Sequence, residues 1–378
     1  MIVEKLSCET DIKKALKELG VDSGGVNILT AKATCNIVKI KDLHVGAANI
    51  LKQDALSVGA DLAVPRGTVI AKEPYVDCIL LATTRELQIL AKKELAQPFG
   101  LKNLAAKLQA MTKIKKPTHA TIMGVINAND DSFFSKSRFK SSDAIAKIES
   151  MIEEGAEIID IGGVSSRPNA PVVSSEEEFA RTEPIFRLIK EQKLYEKCRF
   201  SVDSYTPDVI ALALESGFSI VNDITGLCDD AVCKLCSEYY ATAVIMHMQG
   251  NPQTMQQNPQ YSDVLDDIYT FFEQRIAKAE QFGIQDIILD VGIGFGKTLE
   301  DNLILLKNLE HFLTLKRELL VGASRKSMID KMVPSSVEER LPGTLALHLE
   351  AFRNGASILR VHDVYEHQQA LKIQERFI

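Results

Sequence analysis

From Thr118 onward the chain alternates short apolar runs with longer amphipathic stretches. Eight runs recur: HATIMGVIN, EIIDIGG, RFSVD, SIVNDI, TAVIMH, DIILDVG, ELLVGAS and SILRVH. Each has the length and β-rich character of a buried strand. Between them, stretches such as DAIAKIESMIEEG, EEEFARTEPIFRLIKEQ, PDVIALALESG, DVLDDIYTFFEQRIAKAEQFG and TLALHLEAFRNG place apolar residues three and four apart, the helical period. Ser175 with Glu178 makes a capping-box pattern at one helix start, and Pro207 suits the first turn of another. A strand followed by a helix, repeated, builds a parallel sheet covered on its outer face. Eight repeats favour a closed (β/α)8 barrel, the TIM-barrel architecture, over an open doubly wound sheet.

Residues 1–112 break this rhythm. DIKKALKELG, ANILKQDALSVGA and RELQILAKKELA read as helices, and CNIVKI and DCILLAT as strands. This predicts a smaller N-terminal α/β domain of mixed order, with no motif that names its chemistry. The basic segment KIKKP, Lys113 to Pro117, marks the boundary, and residues 113–378 form the barrel. The length agrees, since a barrel of this kind takes about 250 residues of the 378.

Composition changes the picture only at the margins. A formal net charge of −7 argues against broad nucleic-acid binding. It leaves room for a cationic cleft that takes an anionic small ligand. Seven cysteines, an odd number in a long chain, show no disulfide framework. The N-terminal MIVEKLSCETDIKK lacks the apolar core of a signal peptide, and no run reaches the ~20 apolar residues of a membrane span. A reduced, cytoplasmic protein without membrane or nucleic-acid partners is the expectation. Cys233 and Cys236 form a lone CxxC in a helical stretch, without a second pair or nearby His, and read as structural thiols.

Barrel enzymes build their sites at the C-terminal ends of the strands. Here those ends carry Asn127, Asp160, Asp203, Asn222 with Asp223, Met246 with His247, Asp290, Ser324 to Ser327, and Arg360 with His362 and Asp363. A purely structural barrel has no reason to gather such groups at one mouth, because burying them unpaired is costly. Asp203, Asn222 and Asp290 suit a flat heterocycle with several N–H donors. Arg167, Arg325, Lys326, Arg360 and His362 supply positive charge, and the loops after the last two strands are the usual phosphate site of this fold. His247 reads either as a positioning residue or as a direct contact. Gly292, Gly294 and Gly296 imitate nucleotide-binding loops, but their spacing is not GxGxxG, and Val291 stands where a P-loop needs glycine. They read instead as a loop turning closely beneath a ligand.

The ordered set of strand ends resembles the dihydropteroate synthase family. The matching segments are Thr121–Asn127 with Asp131-Ser132-Phe133, Asp160–Pro168, Ser201–Ser204, Asn222–Ile224, Met246–Pro252, Asp290–Lys297, Ser324–Ser327 and Arg360–Asp363. The resemblance implies condensation of 6-hydroxymethyl-7,8-dihydropterin diphosphate with p-aminobenzoate, giving 7,8-dihydropteroate and diphosphate, with Mg²⁺. It implies small-molecule substrates, sensitivity to sulfonamides and a homodimer. Carried over by position, Asp203, Asn222, Asp290, Lys326 and Met246 hold the pterin. Asn127, Arg360 and His362 hold the diphosphate, with Asn127 beside the metal. Ser166, Arg167, Phe295 and Ser327 line the p-aminobenzoate pocket. Asp203, Lys326, Arg360 and His362 carry the catalysis.

Several positions depart from the family pattern. Asn129 and Asp130 replace Thr and Pro in the first loop, Val164 and Ser166 replace Glu and Thr in the second, and Val291 replaces Pro. Losing Pro frees φ and leaves the first loop less constrained. A corrinoid-dependent methyltransferase acting on methyltetrahydrofolate would share the Asp, Asn and Asp of the pterin site. It would not need the Ser324–Ser327 and Arg360/His362 sets, and no cobalamin-binding domain is visible.

Overall fold

The computed structural model describes residues 1–7, 10–128, 141–165 and 172–377. It divides into two compact units, Met1–Ile114 and Lys115–Phe377.

The first unit holds a three-stranded antiparallel sheet in the order β1 (Cys35–His44), β3 (Tyr75–Thr83), β2 (Asp61–Ala63). Side chains alternate strictly along β3, as a half-buried strand requires. Val76, Cys78, Leu80 and Ala82 are buried in a core with Ala47, Leu51, Leu87, Leu90 and Leu101, while Tyr75, Asp77, Ile79 and Leu81 are exposed. Thr83 ends the strand and starts the helix Thr84–Glu94. Its hydroxyl accepts from the Glu86 N–H, and the Glu86 carboxylate accepts from the Thr83 N–H at 2.7 Å. Helices Ser23–Ala33 and Leu101–Met111 and the short β2 go beyond the sequence reading. The first of these helices opens Ser-Gly-Gly, a weak helix signal.

In the second unit all eight expected runs are strands. They are β4 (Thr121–Asn127), β5 (Ile158–Gly162), β6 (Arg199–Asp203), β7 (Ile220–Asp223), β8 (Thr242–Met246), β9 (Ile287–Asp290), β10 (Glu318–Val321) and β11 (Ile358–Val361). They close into a parallel barrel in chain order, with β11 paired back onto β4. The open sheet is thereby excluded. Pleating sends alternate residues inward and outward. Outward residues such as Ile159, Ile161, Phe200, Val202, Ile245 and Leu289 pack under the helices in one large core. Inward, seven strands contribute Met123, Ile158, Ile220, Val244, Ile288, Leu320 and Ile358 to a separate apolar plug. The eighth, β6, has Ser201 at this level, paired with Ile220 on β7 and buried with its hydroxyl unpartnered among the described residues.

Two local readings change. The cap of helix Ser175–Glu191 is Ser174, one residue early, whose hydroxyl accepts from the Glu177 N–H. Glu178 is freed from capping, is buried, and accepts from the Thr206 hydroxyl. Cys233 and Cys236 are free thiols buried against the core from helix Asp230–Glu238, and burial raises both above the ordinary thiol range. Among the described residues no helix is long and apolar enough to cross a membrane.

The plug supports the floor of the mouth, so hollowing it should be costly. Ile288→Ala is expected to destabilise the protein by about 2–5 kcal/mol, read as a lower urea midpoint at unchanged slope. A loss below about 1 kcal/mol would contradict a close-packed plug.

Candidate active site

Two residues beyond the plug, the next inward position turns polar on most strands. Ile158 gives way to Asp160, Ser201 to Asp203, Ile220 to Asn222, Ile288 to Asp290, and Ile358 to Arg360. The period of two therefore stacks a polar layer directly on an apolar one.

Arg360 joins this layer together. Its Nε donates to Asp160 Oδ2 and its Nη2 to Asp203 Oδ2, each at 2.6 Å. Asn222 Nδ2 donates to the same Asp160 oxygen at 3.2 Å. Asp160 is wholly buried, and its other oxygen has no partner among the described residues. One guanidinium thus serves two carboxylates. Burial, with Asp160, Glu178 and Asp223 nearby, raises the Asp203 carboxyl to about 7 despite Arg360. Burial disfavours the Arg360 charge, but Asp160 and Asp203 outweigh it and hold Arg360 protonated.

Beside this group, Lys326 and Asp290 face one another electrostatically. Burial raises Asp290, opposed by Lys326 and by the Gly292 N–H that donates to its Oδ1 at 2.7 Å. Burial lowers Lys326 to about 8, opposed by Asp290. Lys326 Nζ donates to the Ile293 carbonyl and sits 4.5 Å from the centre of the Phe295 ring. Met246 is buried at the end of β8, in register with Asp290. Ser327 begins the short helix Ser327–Met332, and Asn127 ends β4, half-buried and in register with Gly162.

The cationic end is organised differently from the sequence reading. Arg325 is not aimed at the mouth. Its guanidinium makes two bonds to the Asp363 carboxylate, at 2.9 and 2.7 Å, and two more to the carbonyls of Val337 and Glu338. It is a staple between loops, and Lys326 and Arg360 carry positive charge at the mouth among the described residues, with His362 beside Ser324. The Ser324 hydroxyl lies 2.9 Å from His362 Nδ1 and accepts from the His362 N–H.

His247 has the surroundings of a positioning residue. It is buried, and burial followed by the Lys297 charge lowers it to about 2, so the ring is neutral. Lys297 is itself buried, with Nζ donating to His247 Nδ1 at 3.0 Å and to the carbonyls of His247 and Phe295. Gly292 and Gly296 pack against the backbone of His247 and Gln249, and Gly294 lies against the Lys326 side chain. A Cβ at Gly292, where φ is +68°, would stand 2.0 Å from the His247 carbonyl oxygen. Gly292→Ala is accordingly expected to lose more than about 2 kcal/mol in chemical denaturation, since the left-handed backbone alone costs an L residue roughly 1–2. Wild-type stability would mean that the loop shifts freely.

The structure thus brings Asp203, Asn222, Asp290, Lys326, Arg360 and Phe295 into one mouth, with Ser324 and His362 following directly along the same loops. Ser166, Arg167 and the loop Asn129–Phe133 lie outside the described residues. Sequence reasoning placed Asp160 at a strand end but gave it no role. The signal was available: Asp160 shares the inward parity of Ile158, as Asp203 shares that of Ser201. The same rule separates Asn222, which points in, from Asp223, whose carboxylate accepts from the N–H groups of Thr225 and Leu227.

Residues 123–362 match the family model described as pterin binding enzyme. The bifunctional dihydropteroate synthase/dihydropteroate reductase of Helicobacter pylori is 42% identical over 373 residues, covering 99% of this chain and 98% of that protein. The dihydropteroate synthase of Haemophilus influenzae is 40% identical over 270 residues, covering 71% of this chain and 97% of that one. A crystal structure of the Yersinia pestis dihydropteroate synthase with a sulfonamide drug superposes with a TM-score of 0.65 at 34% identity, covering 68% of this chain and 94% of that one.

Proposed function

The chain belongs to the pterin-binding enzyme family as a dihydropteroate synthase, and from that premise we propose how its barrel mouth divides the reaction. The observation that carries the proposal is Arg360 shared between Asp160 and Asp203, with Lys326 and Asp290 alongside. A methyltransferase reading of the same pocket is set aside by the family assignment.

Asp203, Asn222, Asp290 and Lys326, with Met246 beneath, take the pterin ring, whose amino and N–H donors meet the carboxylates and the amide. Arg360, His362 and Asn127 take the diphosphate. Phe295 and Ser327, with Ser166 and Arg167, take p-aminobenzoate. The bond from the pterin methylene to the diphosphate oxygen breaks, and its electron pair leaves with the diphosphate. The amine lone pair of p-aminobenzoate forms the new C–N bond, and the amine proton is released. Arg360 and His362 offset the charge that grows on the leaving group. Asp203, as carboxylate, offsets the charge left on the pterin.

Mg²⁺ fits this donor set as an ion that arrives with the diphosphate. Mg²⁺ keeps several waters and takes substrate phosphate oxygens alongside one or two protein ligands. Asn127 offers one hard amide oxygen, and no cluster of three or more His, Cys, Asp or Glu side chains is poised for a metal among the described residues. When bound, the ion would neutralise charge on the leaving diphosphate. A homodimer rests on the family resemblance, and a reducing cytoplasm accords with the free thiols, buried at Cys78, Cys198, Cys233 and Cys236 and exposed at Cys35 and Cys228.

The test is diphosphate release from the pterin diphosphate with and without p-aminobenzoate and Mg²⁺; absence of a dihydropteroate product would sink the proposal. Asp203→Asn should lower kcat by about 100-fold or more, in the range for lost electrostatic stabilisation. The pH profile carries a sharper signature. Asp203 must be ionised and Lys326 protonated, so kcat/KM for the pterin diphosphate should fall below about pH 7 and again above about pH 8. Lys326→Arg should remove the alkaline limb. Because the folded Asp203 value lies above its unfolded one of 3.8, its contribution to unliganded stability should decline as pH rises from 4 through 7.

A second activity is proposed for the whole chain. The Helicobacter pylori relative named for both synthase and reductase aligns with 99% of it, whereas the Haemophilus influenzae synthase aligns with 71%. The difference is about the size of the N-terminal unit. We propose that this unit serves reduction of the pteroate product, in which a hydride from a reduced nicotinamide or flavin and a proton saturate one C=N bond. Full-length protein given dihydropteroate should oxidise such a donor in step with tetrahydropteroate formation. No oxidation with either donor class would refute it.

A further inference from the structure

Behind the cationic loops lie two histidines that none of these roles uses. His348 comes from helix Leu341–Arg353 and His367 from helix Val364–Gln374, and both are buried. The Ala323 N–H donates to His348 Nε2 at 2.9 Å. That nitrogen therefore presents its lone pair, and the ring proton sits on Nδ1. His348 Nδ1 lies 2.8 Å from His367 Nε2, so it donates there, and His367 in turn carries its proton on Nδ1. That proton points to the Asp363 carbonyl, 2.6 Å away. One pair of neutral tautomers satisfies the whole chain, and burial holds both rings below the usual histidine range.

Each end of the chain is one residue away from a mouth contact. Ala323 precedes Ser324, whose hydroxyl meets His362, and Asp363 follows His362. Arg325 closes the same gap from the other side. Its guanidinium grips the Asp363 carboxylate, and its N–H donates to Thr344 on the helix that carries His348. The backbone of Arg325 is left-handed, with φ +55°, a conformation that needs such fastening in an L residue. The loop after β10 and the end of β11 are thereby tied through one aspartate, by carboxylate and by carbonyl.

We propose that His348 and His367 are positioning residues for the departing diphosphate: their relay fixes the Ser324–Lys326 loop against His362, so that both sides meet the same anion. This rests on the reading of these loops as the diphosphate site. Neither ring touches substrate. A solely structural pair would alter stability without altering anion affinity, which makes the two roles separable.

The experiment uses the full-length protein and inorganic diphosphate as probe. ¹⁵N-histidine correlation spectra at pH 7 should show both residues neutral with the proton on Nδ1. His348→Leu, which removes both bonds, should weaken diphosphate binding and lower kcat by about 10- to 100-fold, with the p-aminobenzoate KM changed less than about twofold, the scale expected of a misplaced but intact site. His348→Gln keeps an acceptor for the Ala323 N–H and should recover most of the loss. It also decides the matter should the leucine variant not fold. A proton on Nε2 of either ring, or unchanged diphosphate affinity in both variants, overturns the relay. Arg360→Met is the control. If it leaves diphosphate binding intact, the site reading itself falls, and this role with it. If it abolishes binding while the His348 variants bind normally, the positioning role alone falls.

Discussion

The guanidinium of Arg360, buried between Asp160 and Asp203, sets the terms for every other group at the barrel mouth. Two carboxylates from adjacent strands converge on it. Without that cation, burying both as anions would cost several kcal/mol. With it, the pair still carries one negative charge too many, which adds to the effect of burial in raising the Asp203 carboxyl. Gly322, just past β10, lies beside Arg360: a Cβ there would meet the Arg360 side chain in ordinary van der Waals contact, at 3.6 Å. The clamp is therefore set by charge brought together from β5, β6 and β11.

From this centre the mouth grades into two chemistries. Toward β9 and β10 lie Asp290, Lys326 and Phe295, a paired charge against an aromatic face. Toward the loops after β10 and β11 lie Ser324 and His362, fastened by Arg325 and Asp363. Lys297 and His247 lie deeper, where burial lowers the Lys297 amine to about 7 and its Nζ has three partners, His247 Nδ1 and the carbonyls of His247 and Phe295. These inner contacts give the glycine-rich loop its shape. Rigid strands carry Asp203, Asn222 and Asp290, and fastened loops carry Ser324 and His362, a division that suits preorganised electrostatics.

The eight strands were legible because buried parallel strands leave near-continuous apolar runs, and all eight reappear with few changes at their ends. Site residues were legible for a related reason: polar groups at the end of an apolar run stand out. What the pattern hid was direction. Arg325 and Lys326 are adjacent cations in the sequence, and only the left-handed turn at Arg325 and the Asp363 partner send one away from the mouth. Asp160 could be read as inward from its parity with Ile158, but nothing in the sequence marked it as wholly buried against Arg360 and Asn222. His348 and His367 lie on amphipathic helices, where a buried polar residue looks like a break in the period. The N-terminal unit was half legible, since strict alternation marked β3 while Gly-Gly obscured the helix Ser23–Ala33.

The opposite orientations of neighbouring Asn222 and Asp223 have a consequence for how such a chain can diverge. Asn222 contacts Asp160 inside the barrel, while Asp223 holds the following turn from outside. Deleting a single residue early in β7 would bring Asp223 beside Asp160, whereas inserting one would put Asn222 under the turn and an apolar residue beside Asp160. Length changes are thus barred from the strands and channelled into the connections beyond them. Lineages carrying this barrel can gain or lose loop segments freely, yet the step from plug to mouth should stay at two residues on every strand that feeds the site.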